Sequence, residues 1–197
     1  MSAPARPDSV AALDRLLAAL KSRGIVTHEE LAARQASTDA ASSETGARMV
    51  ARAWLDPGYR ALLLSDGKAA AEAMGVSMAG APPLGVLDDT PARHHLVVCT
   101  LCSCYPRAVL GYPPHWYKSF AFRARAVREP RAVLTEWGTV LPDSVDVRVV
   151  DSTADYRWMV LPLRPAGTDG WDEARLAAIV TRDALVGVEL PKAPAAA

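Results

Sequence analysis

The sequence lacks an excess of charge of either sign. Lysine plus arginine number 22 and aspartate plus glutamate 22, so the formal net charge is zero. Nucleic-acid-binding proteins usually carry a basic surplus, so the balance argues against that class of partner. Near-zero charge also suits a lone soluble monomer poorly, a cost that partner subunits would ease. The chain lacks any stretch approaching the ~20 apolar residues that span a membrane. Its start, MSAPARPDSV, has no apolar run of the kind found in a secretory signal. The expectation is a soluble, cytoplasmic protein without membrane association. Internal repeats, a glycine-rich phosphate loop and a Ser/His/Asp signature are also absent, which leaves no simple nucleotide or serine-hydrolase reading. Cysteine is scarce, with three residues, and an odd number rules out a fully paired disulfide framework.

What is present is concentrated. All three cysteines fall within Cys99-Thr100-Leu101-Cys102-Ser103-Cys104. Clustered thiols without a disulfide framework point to a reducing compartment and to metal or redox chemistry. Half the 197 residues are apolar, enough for a sizeable core in one or two domains.

Residues 1–7 are a Pro/Ala lead. Leu13, Leu16, Leu17 and Leu20 then recur at helical spacing, with Asp8 or Ser9 as cap and Gly24 as the left-handed stop. Thr27 with Glu30 forms a capping box for a second helix. Residues 37–43, small and polar, read as a hinge. Helices are expected over 44–55, 59–64 and 68–74, with Asp56-Pro57-Gly58 as a break. The first 80 residues are therefore a helical N-terminal arm or subdomain. After Gly80-Ala81-Pro82-Pro83 the character changes, and residues 81–197 read as an α/β (α+β) domain with a frayed, low-complexity tail. Leu96-Val97-Val98 is a buried strand feeding into Cys99. Helices are expected over 116–128 and 130–137. Val145, Val147 and Val149 alternate with polar residues as a strand, and 156–163 is another, joined to it as a hairpin. A last helix covers 172–180.

The spacing Cys-x-x-Cys-x-Cys allows three thiolates to face one soft ion. In Cys102-Ser103-Cys104, the amides of Ser103 and Cys104 lie between two sulfurs. Deprotonated, they would close chelate rings and give a planar set of two sulfurs and two nitrogens, with Cys99 axial and a sixth position open. Such strong-field donation suits low-spin trivalent iron or cobalt better than zinc. A structural zinc site that adds His94 or His95 to the three cysteines remains open on spacing alone, as does a redox-sensing cluster. His94 and His95 read otherwise as capping or interface residues, Tyr105, Tyr112, Trp116 and Tyr117 as packing around the loop, and Asp88-Asp89 as a turn before Pro91.

Val97-Val98-Cys99-Thr100-Leu101-Cys102-Ser103-Cys104-Tyr105-Pro106 resembles the metal turn of nitrile hydratase alpha subunits, and Thr100 resembles the cobalt type. The resemblance extends through Gly111-Tyr112-Pro113-Pro114-His115-Trp116-Tyr117-Lys118, through Val127-Arg128-Glu129-Pro130-Arg131 and through Arg164-Pro165-Ala166-Gly167-Thr168-Asp169-Gly170-Trp171. It implies a helical arm that embraces a beta-type subunit, followed by a layered α/β domain of the alpha-chain type. It implies one cobalt(III) per chain, with iron the less expected metal. The ligands would be Cys99, Cys102, Cys104 and the main-chain nitrogens of Ser103 and Cys104. By position Cys102 corresponds to a sulfinate and Cys104 to a sulfenate, and these two are the expected catalytic residues in hydration of a small-molecule nitrile to the amide. The arginines that hold the oxidised sulfurs come from the beta subunit in this family, and an accessory activator protein delivers the cobalt. Arg107 stands where nitrile hydratases commonly have tryptophan; here the chain resembles the metal-carrying subunit of thiocyanate hydrolase. Size and Arg107 together suggest the three-subunit variety, whose substrate is the nucleoside nitrile toyocamycin. Residues 80–87 are unlike the usual polar stretch before the metal strand.

Overall fold

The computed structural model describes residues 7–39 and 41–194. The Pro/Ala lead at 1–6 and the end of the tail at 195–197 lie outside the described residues. The chain divides into two compact units, Met1–Ala41 and Ser42–Ala197, so the boundary expected at residue 80 falls inside the second unit.

The first unit holds α1 (Pro7–Ser22) and α2 (His28–Asp39). α1 starts one residue before the expected caps, because proline fits the first helical position where no N–H partner is needed. It stops as Gly24 suggests. Gly24 has φ +63°, its N–H bonds Lys21 O at 3.0 Å and Ile25 N–H bonds Leu20 O at 3.0 Å, the paired pattern of a left-handed stop. The Thr27–Glu30 box forms reciprocally: Thr27 N–H donates to Glu30 Oε2 at 2.8 Å, and Glu30 N–H to Thr27 Oγ1 at 3.0 Å. α2 continues to Asp39, into the first part of the expected hinge, which contains neither Gly nor Pro to stop it.

The second unit opens with α3 (Glu44–Leu55), α4 (Pro57–Ser65) and α5 (Gly67–Ala73). Gly46, Met49, Val50 and Ala53 place a buried stripe along α3. Asp56 both ends α3 and starts α4, accepting Tyr59 N–H at 3.0 Å, with Pro57 opening α4. Trp54 Nε1 donates to Pro162 O at 2.9 Å and ties α3 to the chain beyond the strands.

The strands are β1 (Leu84–Asp88), β2 (Arg93–Val98), β3 (Asp146–Asp151) and β4 (Arg157–Leu161). They form two parallel pairs, β1 with β4 and β2 with β3. The expected hairpin of β3 and β4 is therefore incorrect. Its turn exists, with Thr153 N–H on Tyr156 O at 2.9 Å. However, Ser152 N–H goes to Val98 O at 2.7 Å and Arg157 N–H to Pro83 O at 2.9 Å, so each strand leaves the turn for a different neighbour. Parallel strands covered on both faces read as continuous apolar runs. Leu96, Val97 and Val98 in β2 and Met159, Val160 and Leu161 in β4 follow this pattern, and all are buried.

In the chain, β2 and β3 are joined through α6 (Arg107–Leu110), α7 (His115–Lys118), α8 (Phe120–Arg128) and α9 (Pro130–Glu136). The single helix expected over 116–128 is broken at Ser119, whose backbone is extended and whose hydroxyl accepts Phe122 N–H at 3.1 Å. α10 (Glu173–Ala177) is capped by Asp172, and a 3-10 turn, Ala184–Val186, was not anticipated. That turn ends at Gly187, with φ +84°, where a Cβ would lie 1.9 Å from His95 O. Only glycine lets the C-terminal segment close onto β2 there.

Candidate metal centre

β2 delivers the cysteine turn. Its last three residues are fully buried, and the chain then leaves the sheet at Cys99. Cys99 and Cys104 are buried while Cys102 between them is exposed. Their sulfurs all lie within 4.8 Å of one another. Cys102 Sγ is 3.5 Å from Cys99 Sγ and 3.3 Å from Cys104 Sγ. Two sulfurs each ~2.3 Å from a shared ion would be ~3.8 Å apart at a tetrahedral angle and ~3.3 Å apart at a right angle. The three sulfurs are thus close enough together for one ion to reach all of them.

The main chain converges on the same point. Cys102 N–H donates to Cys99 Sγ at 3.3 Å. The amides of Ser103 and Cys104 follow directly on Cys102 in the chain, and both help to hold its thiol pKa down. Hydrogen bonds from the Cys104 and Cys99 thiols, then the Ser103 amide, hold the Cys102 thiol below its ordinary pKa. Burial pushes Cys104 the other way, to about 12, and hydrogen bonding to the Cys102 and Cys99 sulfurs adds to that push. Without metal, Cys102 therefore ionises before Cys104.

Three contacts fix the turn. Asp151, closing β3, takes Thr100 N–H on Oδ1 at 3.0 Å and Thr100 Oγ1–H on Oδ2. Arg123 of α8 donates from Nη1 to Thr100 O at 3.4 Å. Tyr117 of α7, fully buried, donates its hydroxyl to Cys104 O at 3.0 Å. Tyr105 packs edge-on against Tyr117 at 5.1 Å, and Trp116 packs against Tyr117, Phe122 and Trp137. The packing role expected of Tyr105, Trp116 and Tyr117 holds. Tyr112 is instead exposed, with the Arg107 guanidinium 5.2 Å from its ring centre. Leu101 in the turn and Phe120, which opens α8 under the Arg123 guanidinium, are 88% and 84% exposed.

The histidines are not drawn into the cluster. His94 Nε2 lies 2.7 Å from Gly187 O, and His94 Nδ1 2.9 Å from Asp89 Oδ2. His95 Nδ1 lies 2.8 Å from Asp89 Oδ1, which also takes the His95 N–H. Among the described residues, no histidine or carboxylate joins the three cysteines as a fourth ligand. The three-cysteine, one-histidine zinc site thus lacks its histidine. Asp89 is not merely a turn residue either: it is a buried acceptor at the start of the metal strand. Burial works to lower the His94 pKa, but hydrogen bonding to Asp89, its negative charge and the Gly187 carbonyl raise it overall. Burial likewise pushes Asp89 up, yet the hydrogen bonds from His94 and His95 hold it below the usual carboxylate range. Asp88 goes elsewhere, to Arg60 at 2.6 Å.

Sequence reasoning missed Asp151 and Arg123, and took Asp89 for a turn residue. Asp151 sits at the end of a recognisable alternating strand, but only parallel pairing of β3 with β2 puts it opposite Val98 and next to Thr100.

The model of the nitrile hydratase alpha-chain family matches residues 7–189. The chain belongs to that family. Within it, the chain is 52% identical to thiocyanate hydrolase subunit gamma of Thiobacillus thioparus, an alignment covering 74% of this chain and 65% of that subunit. It is 51% identical to the low-molecular-weight cobalt-containing nitrile hydratase alpha subunit of Rhodococcus rhodochrous, over 78% of this chain and 74% of that one. Recombinant thiocyanate hydrolase with partially modified cobalt centres superposes with a TM-score of 0.89 at 42% identity, over 96% of this chain and 92% of that one. The mixed helix-and-strand architecture expected of the family is thus the architecture found.

Proposed function

We propose that this chain is the metal-carrying alpha subunit of a cobalt nitrile hydratase that converts a small nitrile to its amide. The observation that carries the reading is the sulfur triad: three thiols within 4.8 Å on one turn, two buried and one open to solvent, flanked by main-chain amides. Cys99, Cys102 and Cys104 would supply sulfur ligands, and the nitrogens of Ser103 and Cys104 the rest, to one cobalt(III) per chain. Cobalt bound there would supply Lewis acidity toward the nitrile nitrogen. Cys102 as sulfinate and Cys104 as sulfenate are the catalytic pair. Tyr117 orients Cys104 through its carbonyl, and Asp151 and Arg123 hold the preceding half of the turn. The cobalt-containing relatives support this metal over zinc.

A beta-type subunit would cover the exposed Leu101 and Phe120 side chains, and the exposed Leu13 and Leu16 of α1 suit the embracing arm. A cobalt-delivering activator and a cytoplasmic setting complete the reading. No described helix is long and apolar enough to cross a membrane. Thiocyanate is the second substrate reading, and Arg107 favours it: a cationic, exposed side chain three residues after Cys104 suits an anion. A nucleoside nitrile such as toyocamycin is the specific candidate within the nitrile reading.

Metal analysis and mass spectrometry of the chain co-produced with its partner subunit test the centre. About one cobalt per chain, with added oxygen on Cys102 and Cys104, is expected. Bound zinc with unmodified thiols would overturn it. Amide release from nitriles, measured beside thiocyanate turnover, decides the substrate, and Cys104→Ala should abolish both.

A further inference from the structure

A guanidinium is effectively always charged, and a buried charge is costly unless it is paired and hydrogen-bonded. Arg123 of α8 is buried, at 9% exposure. Among the described residues it forms no ion pair with any carboxylate. Its Nε is shut off from solvent and has no hydrogen-bond partner among them. Unpartnered buried donors are uncommon, and a charged one calls for an explanation.

The contacts that Arg123 does make point to the cysteine turn. Its Nη1 donates to Thr100 O at 3.4 Å, and its Cζ lies 4.4 Å from the centre of the Phe120 ring. Thr100 follows Cys99 directly, and its carbonyl belongs to the peptide that leads through Leu101 to Cys102. The guanidinium therefore lies against the segment joining two of the three thiols. The carboxylate already on that segment, Asp151, spends both oxygens on Thr100. Three thiolates around a divalent ion leave net negative charge at the ends of the same segment. So do three thiolates and two ionised amides around a trivalent ion.

We propose that Arg123 is a positioning residue for the metal centre, a buried cation whose counter-charge is the metal-filled cysteine turn. The assignment rests on the metal reading above. Its consequence has a sign that a packing role lacks: Arg123 destabilises the metal-free chain and stabilises the loaded one. Loss of the Thr100 bond alone does not reproduce this, because Thr100 is exposed and water replaces the donor at its carbonyl.

The test uses the full, reduced chain under anaerobic conditions, unsubstituted and as Arg123→Met, Arg123→Gln and Arg123→Lys. Urea unfolding of the metal-free forms measures stability. Titration with Co(II), followed by thiolate-to-cobalt absorption, and with Zn(II), by competition with a coloured indicator, measures affinity. In Arg123→Met the folding equilibrium constant of the metal-free chain should rise about tenfold, because an uncompensated buried charge is gone. Affinity for either ion should fall about 10- to 100-fold, as on loss of an outer partner of a metal site. Arg123→Gln is also neutral but keeps a donor for Thr100 O, and it should follow Arg123→Met. Arg123→Lys keeps the charge and should keep most of the affinity without the gain in stability. Unchanged affinity in a folded neutral variant overturns the proposal, as does equal loss of affinity in the neutral and lysine variants. Neutral variants that are less stable without metal also overturn it, since packing then accounts for Arg123. If the unsubstituted chain takes zinc and refuses cobalt, the cobalt reading falls, and the same comparisons on zinc support or overturn Arg123 separately. A chain that takes neither ion overturns both.

Discussion

Removing the Asp151 carboxylate should loosen the cysteine turn without unfolding the domain. Asp151 makes two bonds to one residue, Thr100 N–H to Oδ1 at 3.0 Å and the Thr100 hydroxyl to Oδ2. Both residues are exposed, so water competes for these groups once the carboxylate is gone. Each bond is then worth the ordinary net figure, about 0.5–1.5 kcal/mol, and the pair about 2 kcal/mol. At about 1.4 kcal/mol per tenfold change, Asp151→Ala should raise the opening equilibrium of the turn about 30-fold. Arg123 still holds Thr100 O, so the turn stays attached. The assay is amide hydrogen exchange on the metal-free full chain. Protection at Thr100 should fall by that factor, while protection in β2 at Leu96 to Val98 stays as it was. Thr100→Val removes only the hydroxyl bond and should cost about half as much. In the Asp151→Ala background Thr100→Val should add almost nothing, because the two share one interaction. Wild-type exchange at the turn in Asp151→Ala, or additive losses in the double variant, would refute the latch.

Tyr117→Phe removes the hydroxyl that serves Cys104 O and leaves that carbonyl unsatisfied in a buried site. Stability should fall by about 1–3 kcal/mol in urea titrations; no change would show that the bond contributes nothing. His94→Ala leaves the Asp89 carboxylate buried without one partner, and a loss of about 3–5 kcal/mol is expected. The unsubstituted pair also sets a pH dependence. The raised His94 pKa gives stability that is fully present below about 6.5, the unfolded histidine value, and fades as pH climbs through the folded value. The lowered Asp89 pKa gives stability that is present above about 3.9 and fades as pH falls through the folded value. The contribution of the pair should therefore peak between these limits, and its decline at alkaline pH should vanish in His94→Ala; an identical slope in both would exclude His94 as the cause. Gly187→Ala drives a Cβ to 1.9 Å from His95 O and should lose more than the ~1–2 kcal/mol of the left-handed conformation alone. Gly24→Ala, with nothing within 4 Å, should cost only about that amount, and comparable losses in the two would show that the His95 contact yields easily.

Much of the molecule was legible one residue at a time. The Thr27–Glu30 box, the Gly24 stop, the buried run Leu96 to Val98 and the crowded cysteines all depend on neighbours within a turn or two. Local sequence is enough to specify such features, since the interacting atoms are held close by the chain itself. The Cys-x-x-Cys-x-Cys spacing likewise determined that three sulfurs and two amides could meet, and the flanking motifs determined the family. Pairing of distant segments was not legible. Ser152 to Tyr156 looks like a hairpin turn and makes a hairpin-like bond, yet both strands it joins are more stably paired in parallel with β2 and β1. That choice is made by burial of whole apolar strands on both faces, a property no short window contains. The same pairing brings Asp151 to Thr100. Closure of the Gly187 segment commits His94 to Asp89 and a carbonyl and so removes it from the metal ligands. The cysteine turn was thus a property of the sequence, whereas its latch and the absence of a histidine ligand were decided by tertiary packing, because each depends on residues that long-range burial alone brings into contact.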